Sequence, residues 1–540
     1  MDKGESFFDV FRPKFIKNNH LFIFFLLTII STFLCLFFVG NHSLIAHDEL
    51  IYANRANLII KSRDWFTPFS EPHHKFVGSY WLTALSLMIF GRNEFAARLP
   101  SYILSLGTLY IFYCLNKELI NKKVAKLSAL ILSASFLWFN FSHYCSPDIL
   151  FIFLNILSVF YLSKINSFSN NLVNYKLIFF SGCLFSFGFF VRSYMELLPL
   201  ICFSPYIIHK LKFSNKNYLI CFFLGLCVGF IPSLINLILA FIKYGDQGFL
   251  RPFSLLTQKV LEEESPLEGF LFYPRNIFLF NLPAIVFIFN GVNSILKLKN
   301  KDAKLLFLIC PSLALVLLML TASTYTHYLL FIIPWISTLI ALGICESLSL
   351  NNTFNKIVLN IYTFLCLLFG FLLFLISLSS LFFEIQIIDL NVISNSIILI
   401  FGIFFIYFSF NIFMDWKIEK RFINIVKISF LQILLFSFLF GAGTIGNPNN
   451  EFKKFINTNI TDEKKVYAIE SEIKSKNRRI LSFYLKDYIN YDLNNYSNND
   501  GVVHLFLLKH KLSKINETKN LKYEKIDGYK KIYLIKLYEN

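Results

Sequence analysis

The chain of 540 residues is 56% hydrophobic and only 16% charged, and its mean hydropathy is +0.57. A soluble globular protein has about 25% charged residues, so this composition excludes an ordinary soluble enzyme. The segment 451–540 differs, because it carries 18 Lys or Arg and 12 Asp or Glu. The rest of the net charge of +17 lies between apolar segments rather than on one patch, which argues against a nucleic-acid-binding protein.

The apolar segments predict thirteen transmembrane helices, because about 20 apolar residues cross roughly 30 Å of hydrocarbon. The predicted spans are 21–39, 95–115, 126–141, 147–162, 176–191, 195–208, 218–242, 276–296, 303–320, 327–345, 357–383, 392–413 and 422–441. The first span follows basic residues and lacks a small-residue cleavage site, which is typical of a retained signal anchor. The fifth and sixth spans are alternatively one bent helix broken at Arg192.

The short connections between the spans alternate between Lys-rich segments and segments nearly free of Lys and Arg. Positive residues are held on the cytoplasmic side, so this alternation predicts a cytoplasmic N-terminus and a tail on the outer side. Two long connections, 40–94 and 243–275, also face outward in this topology. We call 40–94 the first outer loop and 243–275 the second outer loop.

The charged tail has the pattern of a small α/β domain. Segments 466–469, 502–508 and 532–537 predict strands, 472–488 predicts a helix, and Asp527-Gly528 is a hairpin-turn signal. The sequence therefore predicts a polytopic α-helical membrane domain over 1–444 and a soluble extracytoplasmic α/β domain over 445–540. All ten cysteines lie in or beside apolar segments and are interpreted as buried hydrophobic residues rather than disulfides.

The first outer loop contains the most unusual polar pattern. On a helix, Asp48, Tyr52 and Arg55 fall on one face, which places a carboxylate beside a phenol and a cation. The alternative is a solvated amphipathic helix whose neighbours Trp65 and Trp81 form an interfacial aromatic belt.

A second carboxylate, Asp148, follows Pro147 at the edge of the fourth span and has no cation near it in sequence. An ionisable residue at this depth indicates a functional site, because dehydrating it is costly. The alternative is a helix N-terminal carboxylate that is favoured by the helix dipole. Arg192 lies on the same side, where it either pairs with Glu196 one turn later or contacts a ligand.

These residues resemble the bacterial lipid A aminoarabinose transferases, which belong with the protein O-mannosyltransferases among the integral-membrane GT-C glycosyltransferases. The resemblance covers roughly residues 48–150 and is mostly topological beyond them. The matching residues are Asp48-Glu49, Tyr52-Ala53, Arg55, Asp64-Trp65, Lys75, Tyr80-Trp81-Leu82, Phe90-Gly91, Asn93-Glu94, Ala96-Ala97-Arg98-Leu99-Pro100 and Asp148.

The resemblance implies a membrane enzyme of the bacterial cytoplasmic (inner) membrane. It implies that a sugar moves from a polyprenyl-phosphate carrier to an acceptor hydroxyl of lipid A, another glycan or a protein on the outer side. By the same resemblance, Asp48 and Asp148 are the catalytic acids, and Lys75, Arg192 and Tyr328 lie at the donor phosphate.

Sugar transfer from a phosphate needs a base for the incoming hydroxyl and cations for the departing phosphate. Asp48 is the candidate base, with Asp148 orienting the acceptor or stabilising the sugar ring, although these two roles are exchangeable. A single displacement predicts inversion at the anomeric carbon. The further candidates are Arg55, Arg251 and Arg275 for a second cation, and Glu49, Tyr52 and His74 near the site.

Departures from the family pattern leave the metal unassigned. The family has Glu-Lys-Pro-Pro where this chain has His74-Lys75-Phe76-Val77, and the metal-associated histidines of the family are absent from 243–275. His73 and His74 supply only two ligands, which do not close a zinc site. No metal-ligating residue or cofactor is therefore predicted, and a divalent metal stays an open alternative.

Two other functions stay open on the sequence alone. A flippase or transporter of lipid-linked sugars would place ionisable residues near mid-membrane and often has paired repeats, whereas the polar residues here lie on one side. A polysaccharide polymerase or ligase would use similar outer loops and a similar carrier. The expected partners are the polyprenyl-phosphate sugar donor, the acceptor and membrane lipids, with no nucleic acid.

Overall fold

A computed structural model gives the fold of the chain. The described residues are 42–165, 171–211, 216–261, 266–320, 324–349, 352–382, 392–415, 417–460, 467–485, 488–491, 503–517 and 521–539. The predicted first span, 21–39, lies outside these described residues.

Helices form most of the described chain. In chain order the helices before the tail are α1 (Glu49–Ser62), α2 (Gly78–Phe90), α3 (Glu94–Leu119), α4 (Lys122–Ala134), α5 (Phe136–Ser142), α6 (Asp148–Ser163), α7 (Asn171–Arg192), α8 (Leu197–Leu211), α9 (Lys216–Tyr244), α10 (Asp246–Leu261), α11 (Pro266–Phe280), α12 (Ile288–Lys297), α13 (Lys301–Lys304), α14 (Cys310–Met319), α15 (Ile333–Ser349), α16 (Thr353–Phe382), α17 (Val392–Met414) and α18 (Ile418–Gly441). A π-helical segment, Leu305–Ile309, joins α13 to α14.

Each predicted span from 95–115 onward coincides with one of these helices or with a pair of them. Within the described ranges, seven helices are long and apolar enough to cross a membrane, or nine if each of two bent pairs is one span. The multi-pass helical fold is therefore confirmed, while the count of thirteen crossings stays a prediction.

Two apolar segments are sharply bent rather than straight. Helices α4 and α5 meet at an angle of 73° at Ser135, whose backbone is extended (φ −68°, ψ 125°). The segments Phe270–Phe280 and Ala284–Lys297 meet at 106° on either side of Pro283, which has no N–H to continue a helical ladder.

Small residues allow α7 and α9 to approach closely. A Cβ atom on Gly182 would lie 2.4 Å from the carbonyl oxygen of Phe222, and one on Gly229 would lie 2.2 Å from that of Cys183. Direct backbone contact of this kind is a common way for membrane helices to associate, because lipid supplies no hydrophobic drive between them. The packing fixes α7, which carries Arg192 at its end.

The tail folds as an α/β unit with one five-stranded sheet. Its elements are α19 (Asn450–Asn459), β1 (Tyr467–Glu470), α20 (Ser475–Tyr484), β2 (Tyr488–Tyr491), β3 (Val503–Leu508), α21 (Leu512–Glu517), β4 (Leu521–Tyr529) and β5 (Ile532–Glu539). The strand order is β2-β1-β3-β5-β4, with β1 parallel to β2 and β3, and β5 antiparallel to β3 and β4. The predicted small α/β region is therefore present, and β2 and β4 are strands that the sequence did not predict.

The hairpin turn lies later than the sequence predicted. Asp527 and Gly528 remain in β4, where they pair with β5, and the chain reverses at Lys530, which has φ +52°. A β-bulge between Lys525 and Asp527 shifts the register. The Asp527-Gly528 pair therefore belongs to the irregular strand, and the prediction of a turn there was wrong.

The first outer loop is bound to the segment that follows α18. His42 Nε2 donates to the carbonyl of Gly441 (2.7 Å), and the Ser43 N–H donates to Oδ1 of Asn447 (2.7 Å). The Asn449 N–H donates to the Ser43 hydroxyl (2.9 Å). Apolar residues of the loop and of the tail also share one buried cluster. The loop and the tail therefore form one packed unit.

A fully buried ion pair holds the start of α1. Arg98 of α3 donates through Nε and Nη2 to the two carboxylate oxygens of Glu49, both at 2.7 Å, and both side chains are 0% exposed. The same carboxylate accepts the N–H groups of Ile45 (3.0 Å) and Cys145 (3.0 Å). Glu49, which the sequence placed among the site candidates, thus connects the start of α1 with α3 and with the segment before α6.

Replacing Arg98 with Met should destabilise the protein strongly, because the Glu49 carboxylate would remain buried without a counter-charge. We expect the free energy of unfolding to fall by about 3–5 kcal/mol. Thermal unfolding of the purified protein in detergent would measure it. Glu118→Gln is the matched control, since Glu118 lies on the same helix and its ion pair with Lys164 is partly exposed. That control should change stability by only about 0–1 kcal/mol, and equal losses in the two variants would contradict the role of the buried pair.

Candidate active site

Asp148 and Arg192 form a nearly buried ion pair where α6 and α7 adjoin the first outer loop. Arg192 Nη2 lies 2.7 Å from Asp148 Oδ1, and the two side chains are 7% and 8% exposed. The Ser146 hydroxyl donates to the other carboxylate oxygen of Asp148 (3.0 Å). The cation that Asp148 lacks in sequence is thus supplied across the fold by α7.

Arg192 pairs with Asp148 and not with Glu196, which was the alternative from the sequence. Glu196 lies in a 3-10 turn, Ser193–Glu196, and is fully buried, where it accepts a hydrogen bond from Asn155 Nδ2 (3.4 Å). The turn replaces the regular helix that an i, i+4 pair requires. Arg192 and Glu196 consequently face different partners.

The helix break at Arg192 is fixed by contacts with the first outer loop. Ser193 has φ +55°, and its hydroxyl accepts the N–H of Phe76 (3.2 Å). The Ser79 hydroxyl donates to the carbonyl of Val191 (2.6 Å). A Cβ on Gly78 would lie 2.5 Å from a backbone oxygen of α7, so only glycine allows this approach. The same contacts therefore bring Lys75 towards Arg192.

Lys75 lies on a strip of tyrosines. Its Nζ donates to the hydroxyl of Tyr52 (2.8 Å) and lies 5.0 Å from the centre of that ring. Tyr80 packs 5.7 Å from Tyr52 and accepts a hydrogen bond from Arg55 Nη1 (3.0 Å). Burial raises the pKa of Tyr52 well above its usual value. The phenol therefore stays neutral and positions the ammonium group of Lys75.

A small cleft opens beside the ion pair. Its polar lining consists of Asp148, Arg192, His327 and Tyr328, and its other walls are apolar side chains such as Phe331. His327 was missed as a site residue in the sequence. The signal for it was weak, namely a histidine next to Tyr328 after a connection without Lys or Arg.

Asp48 is the other carboxylate near this site, and it is accessible to solvent. It occupies the N-cap position of α1 but makes no capping hydrogen bond, although N-cap Asp side chains usually do. Partial loss of hydration raises the pKa of Asp48, and the nearby carboxylates of Asp148 and Glu49 raise it further. Within the described part of the chain no hydrogen-bond donor is assigned to this carboxylate, so it can accept a proton from another molecule.

Two arginines proposed from the sequence are not among the residues that line the cleft. Arg275 is exposed on α11 and lies over the ring of Phe272, one turn earlier (5.9 Å). Arg251 is exposed on α10. The cations that the structure brings to the cleft region are therefore Arg192 and Lys75.

The adjacent histidines of the first outer loop do not fit a metal. Nδ1 of His73 lies 3.0 Å from both the N–H and the carbonyl oxygen of Lys75, so this ring nitrogen is engaged by the backbone of the loop. Burial and the charge of Arg55 lower the pKa of His73 to about 2. His74 stacks on this ring at 4.4 Å instead of converging with it on one point. Among the residues that the structure describes, no three His, Cys, Asp or Glu side chains form a metal-binding group.

The sequence was compared with families and with curated proteins. Residues 73–236 match the family model "Dolichyl-phosphate-mannose-protein mannosyltransferase". An undecaprenyl phosphate-alpha-4-amino-4-deoxy-L-arabinose arabinosyl transferase of Wigglesworthia glossinidia brevipalpis is 25% identical over 77% of this chain and 76% of its own length. The enzyme of the same name from Pseudomonas paraeruginosa is 28% identical over 33% of each chain, and an uncharacterised Aquifex aeolicus protein is 32% identical over 25% of this chain and 28% of its own.

The fold matches a solved structure over nearly its whole length. ArnT from Cupriavidus metallidurans, in a crystal structure bound to undecaprenyl phosphate, superposes with a TM-score of 0.72 over 96% of this chain and 98% of that chain. The apo structure of the same protein gives a TM-score of 0.71. The sequence identities are 12% and 14%, so these two matches establish the fold.

The fold, together with the relatives, defines a multi-pass membrane glycosyltransferase of the GT-C class. The predicted resemblance to the aminoarabinose transferases and the protein mannosyltransferases is confirmed by the family model and the relatives.

Removing one partner of the Asp148–Arg192 pair should cost more stability than removing both charges. Asp148→Asn leaves a buried guanidinium unpaired, with an expected loss of about 3–5 kcal/mol in the free energy of unfolding. The double variant Asp148→Asn/Arg192→Gln should recover part of that loss, as measured by thermal unfolding. A double variant that loses the sum of the two single effects would contradict a mutual ion pair.

Proposed function

We propose that the protein transfers a sugar from a polyprenyl-phosphate donor to an acceptor hydroxyl, with Asp48 as general base and Lys75 and Arg192 at the donor phosphate. The observation that carries this proposal is an accessible carboxylate without an assigned hydrogen-bond donor beside two cations and an apolar cleft. The names of the relatives and the undecaprenyl phosphate bound to ArnT support the donor class.

The cleft suits a lipid phosphate. The carrier would lie against its apolar walls, and Arg192 and Tyr328 would donate to the phosphate at its polar end. Lys75 approaches from the first outer loop as a point charge that Tyr52 positions. Cations placed where negative charge develops are often the largest contribution to the rate of such a transfer.

The chemical step is a single displacement. Asp48 accepts the proton of the acceptor hydroxyl as its oxygen attacks the anomeric carbon. The bond between that carbon and the phosphate oxygen breaks, and its electron pair leaves with the polyprenyl phosphate. Lys75 and Arg192 stabilise the added negative charge, and the configuration at the anomeric carbon inverts.

Asp148 acts on Arg192 in this scheme. The ion pair of Asp148 with Arg192 fixes the guanidinium group of Arg192 at the cleft. The other N–H donors of that guanidinium group remain for the phosphate. We therefore assign Asp148 a positioning role and leave the base to Asp48, although the sequence alone made their roles exchangeable.

The topology belongs to the same proposal. Charge bias places the N-terminus in the cytoplasm and the tail outside, with thirteen spans in a membrane domain over 1–444 and a soluble domain over 445–540. The site then faces the outer side of the cytoplasmic membrane, where the acceptor is lipid A, another glycan or a protein. Product analysis separates such single transfers from a polymerase or ligase, and a proteoliposome transport assay separates them from a flippase.

Replacing Asp48 with Asn should lower kcat by about 10²- to 10⁴-fold, because the base is lost. In the wild type, the rate should rise with pH as Asp48 loses its proton. Because the pKa of Asp48 is raised, the acid limb of the pH–rate profile should have its midpoint above about 3.9, the usual pKa of an aspartate. Transfer from a labelled polyprenyl-phosphate sugar by protein in liposomes would measure both effects.

The matched control for this test is Asp64→Asn in the same loop. Asp64 accepts hydrogen bonds from the Phe66 and Thr67 N–H groups (3.0 and 2.8 Å) and shapes a turn away from the cleft. Its variant should keep the wild-type acid limb. An unchanged rate or an unchanged acid limb in Asp48→Asn would overturn the assignment of the base.

Replacing Lys75 with Met should raise the KM for the donor by roughly ten- to a hundredfold, because one charge-assisted contact to phosphate is lost. The KM for the acceptor should change little. Initial rates at varied donor and acceptor concentrations would measure this split. Lys61→Met, at the exposed end of α1, is the charge-matched control, and a donor KM unchanged in Lys75→Met would refute the phosphate contact.

A further inference from the structure

Helix α20 of the tail lies directly against helix α1 of the first outer loop. Asn54 Nδ2 donates to the carbonyl of Arg479 (2.9 Å), which fixes that turn of α20 beside α1. In the same helix, Ile480, Leu481 and Phe483 are buried in the cluster that the loop shares with the tail. The position of Arg479 relative to α1 is therefore set by both a hydrogen bond and a hydrophobic core.

The contact brings two arginines of the same charge together. Arg55 follows Asn54 on α1, and both Arg55 and Arg479 are half-buried. Burial lowers the pKa of Arg479, and the positive charge of Arg55 lowers it further. Neither guanidinium takes part in a salt bridge with any residue that the structure describes.

Both guanidinium groups keep donors for a ligand. Each presents five N–H groups. Arg55 gives one contact to the Tyr80 hydroxyl (3.0 Å), and no hydrogen bond from the Arg479 side chain occurs within the described ranges. Helix α20 adds Lys476 and Arg478, and it contains no acidic residue. The two positive charges repel each other, and an anion bound by both guanidinium groups would offset that repulsion.

We propose that Arg55 and Arg479 together form a second anion site, which binds a phosphate group carried by the acceptor. Two planar guanidinium forks match the several oxygens of a phosphate better than those of a neutral sugar. The strip Arg55–Tyr80–Tyr52–Lys75 connects this site to the donor phosphate site. The assignment to the acceptor rests on the proposed function, whereas the anion site itself does not.

The site gives the tail a part in substrate binding. Arg55 comes from the first outer loop and Arg479 from the tail, so neither region alone contains it. An acceptor phosphate held there would direct the rest of the acceptor along the tyrosine strip towards Asp48. The specificity of the transfer would then depend on α20 as well as on the membrane helices.

Binding of inorganic phosphate to the full-length protein tests the site without turnover. Calorimetry in nanodiscs of phosphatidylcholine should give a dissociation constant that Arg479→Gln and Arg55→Gln each raise by roughly ten- to a hundredfold. Arg479→Lys should keep part of the affinity. Arg478→Gln is the matched control, because that side chain donates to backbone carbonyls of the tail, including that of Glu470 (3.3 Å), and should leave the affinity unchanged.

A charge-reversed variant separates ligand binding from a structural role. In Arg479→Glu the new carboxylate should pair with Arg55, which raises the apparent melting temperature while phosphate binding is lost. A lower melting temperature together with wild-type phosphate affinity would overturn the proposal. Equal affinities in the wild type and Arg479→Gln would also overturn it.

A second set of binding measurements decides whether the phosphate group comes from the acceptor or from a phospholipid. Phosphatidylglycerol in the nanodiscs should not weaken binding of inorganic phosphate at this site if the acceptor supplies the group. Competition by that lipid in the wild type, absent in Arg479→Gln, would overturn the acceptor as the source and identify a phospholipid head group instead.

Kinetics distinguish failure of this site from failure of the proposed function. Arg479→Gln should raise the KM for a phosphorylated acceptor while the KM for the donor stays constant. Phosphate binding that depends on Arg479 in a protein without sugar transfer would refute the proposed function and retain the site. Transfer with unchanged phosphate binding in Arg479→Gln would refute the site and retain the function.

Discussion

The arrangement of the site depends on one buried ion pair, Glu49 with Arg98. Arg98 also donates to the carbonyl of Ser43 (3.1 Å), so its guanidinium holds the entry to the loop as well as the start of α1. The carboxylate holds the N–H of Cys145, three residues before Asp148. A pair of charges this deep is stable only with all its hydrogen bonds made. The two acids of the site are neighbours in space because both backbones are fixed to the same carboxylate.

The charged groups divide into those that build the site and those that can act on a ligand. Glu49 and Arg98 bind each other and the surrounding backbone, and Asp148 fixes Arg192. Asp48, next to Glu49 in sequence, is accessible to solvent and has a raised pKa. Adjacent carboxylates thus have opposite roles, because the first turn of α1 points one into the protein and leaves the other at its surface.

Hydropathy was sufficient to predict a multi-pass helical fold, because burial in lipid imposes a long apolar run on every span. It also located the break at Arg192, where apolar character is interrupted. The partner of Arg192 could not be predicted, since the choice between Glu196 and Asp148 depends on whether the helix continues, and contacts from the first outer loop decide that. Asp48, Lys75, Arg192 and Tyr328 were found from the sequence, although their roles stay proposals.

The tail shows where local signals fail. The pattern predicted β1, β3 and β5, which contain apolar runs, but not β2 or β4, which are short or polar and form only by pairing with neighbours. Asp527-Gly528 satisfied the rule for a turn, yet the bulge and the packing of Tyr533 against Gly528 kept both in the strand. His327 escaped notice because nothing in its neighbourhood along the chain distinguishes it from a packed aromatic residue.

The bonds that His42 and Ser43 make to Gly441, Asn447 and Asn449 also order events during synthesis. Their sequence separations are near 400 residues, and a chain emerging from the ribosome cannot make such contacts until the last membrane helix has been inserted. The first loop to be translated is therefore the last to reach its final shape. A nascent chain that ends before Gly441 lacks these contacts, so they do not hold its first outer loop in place.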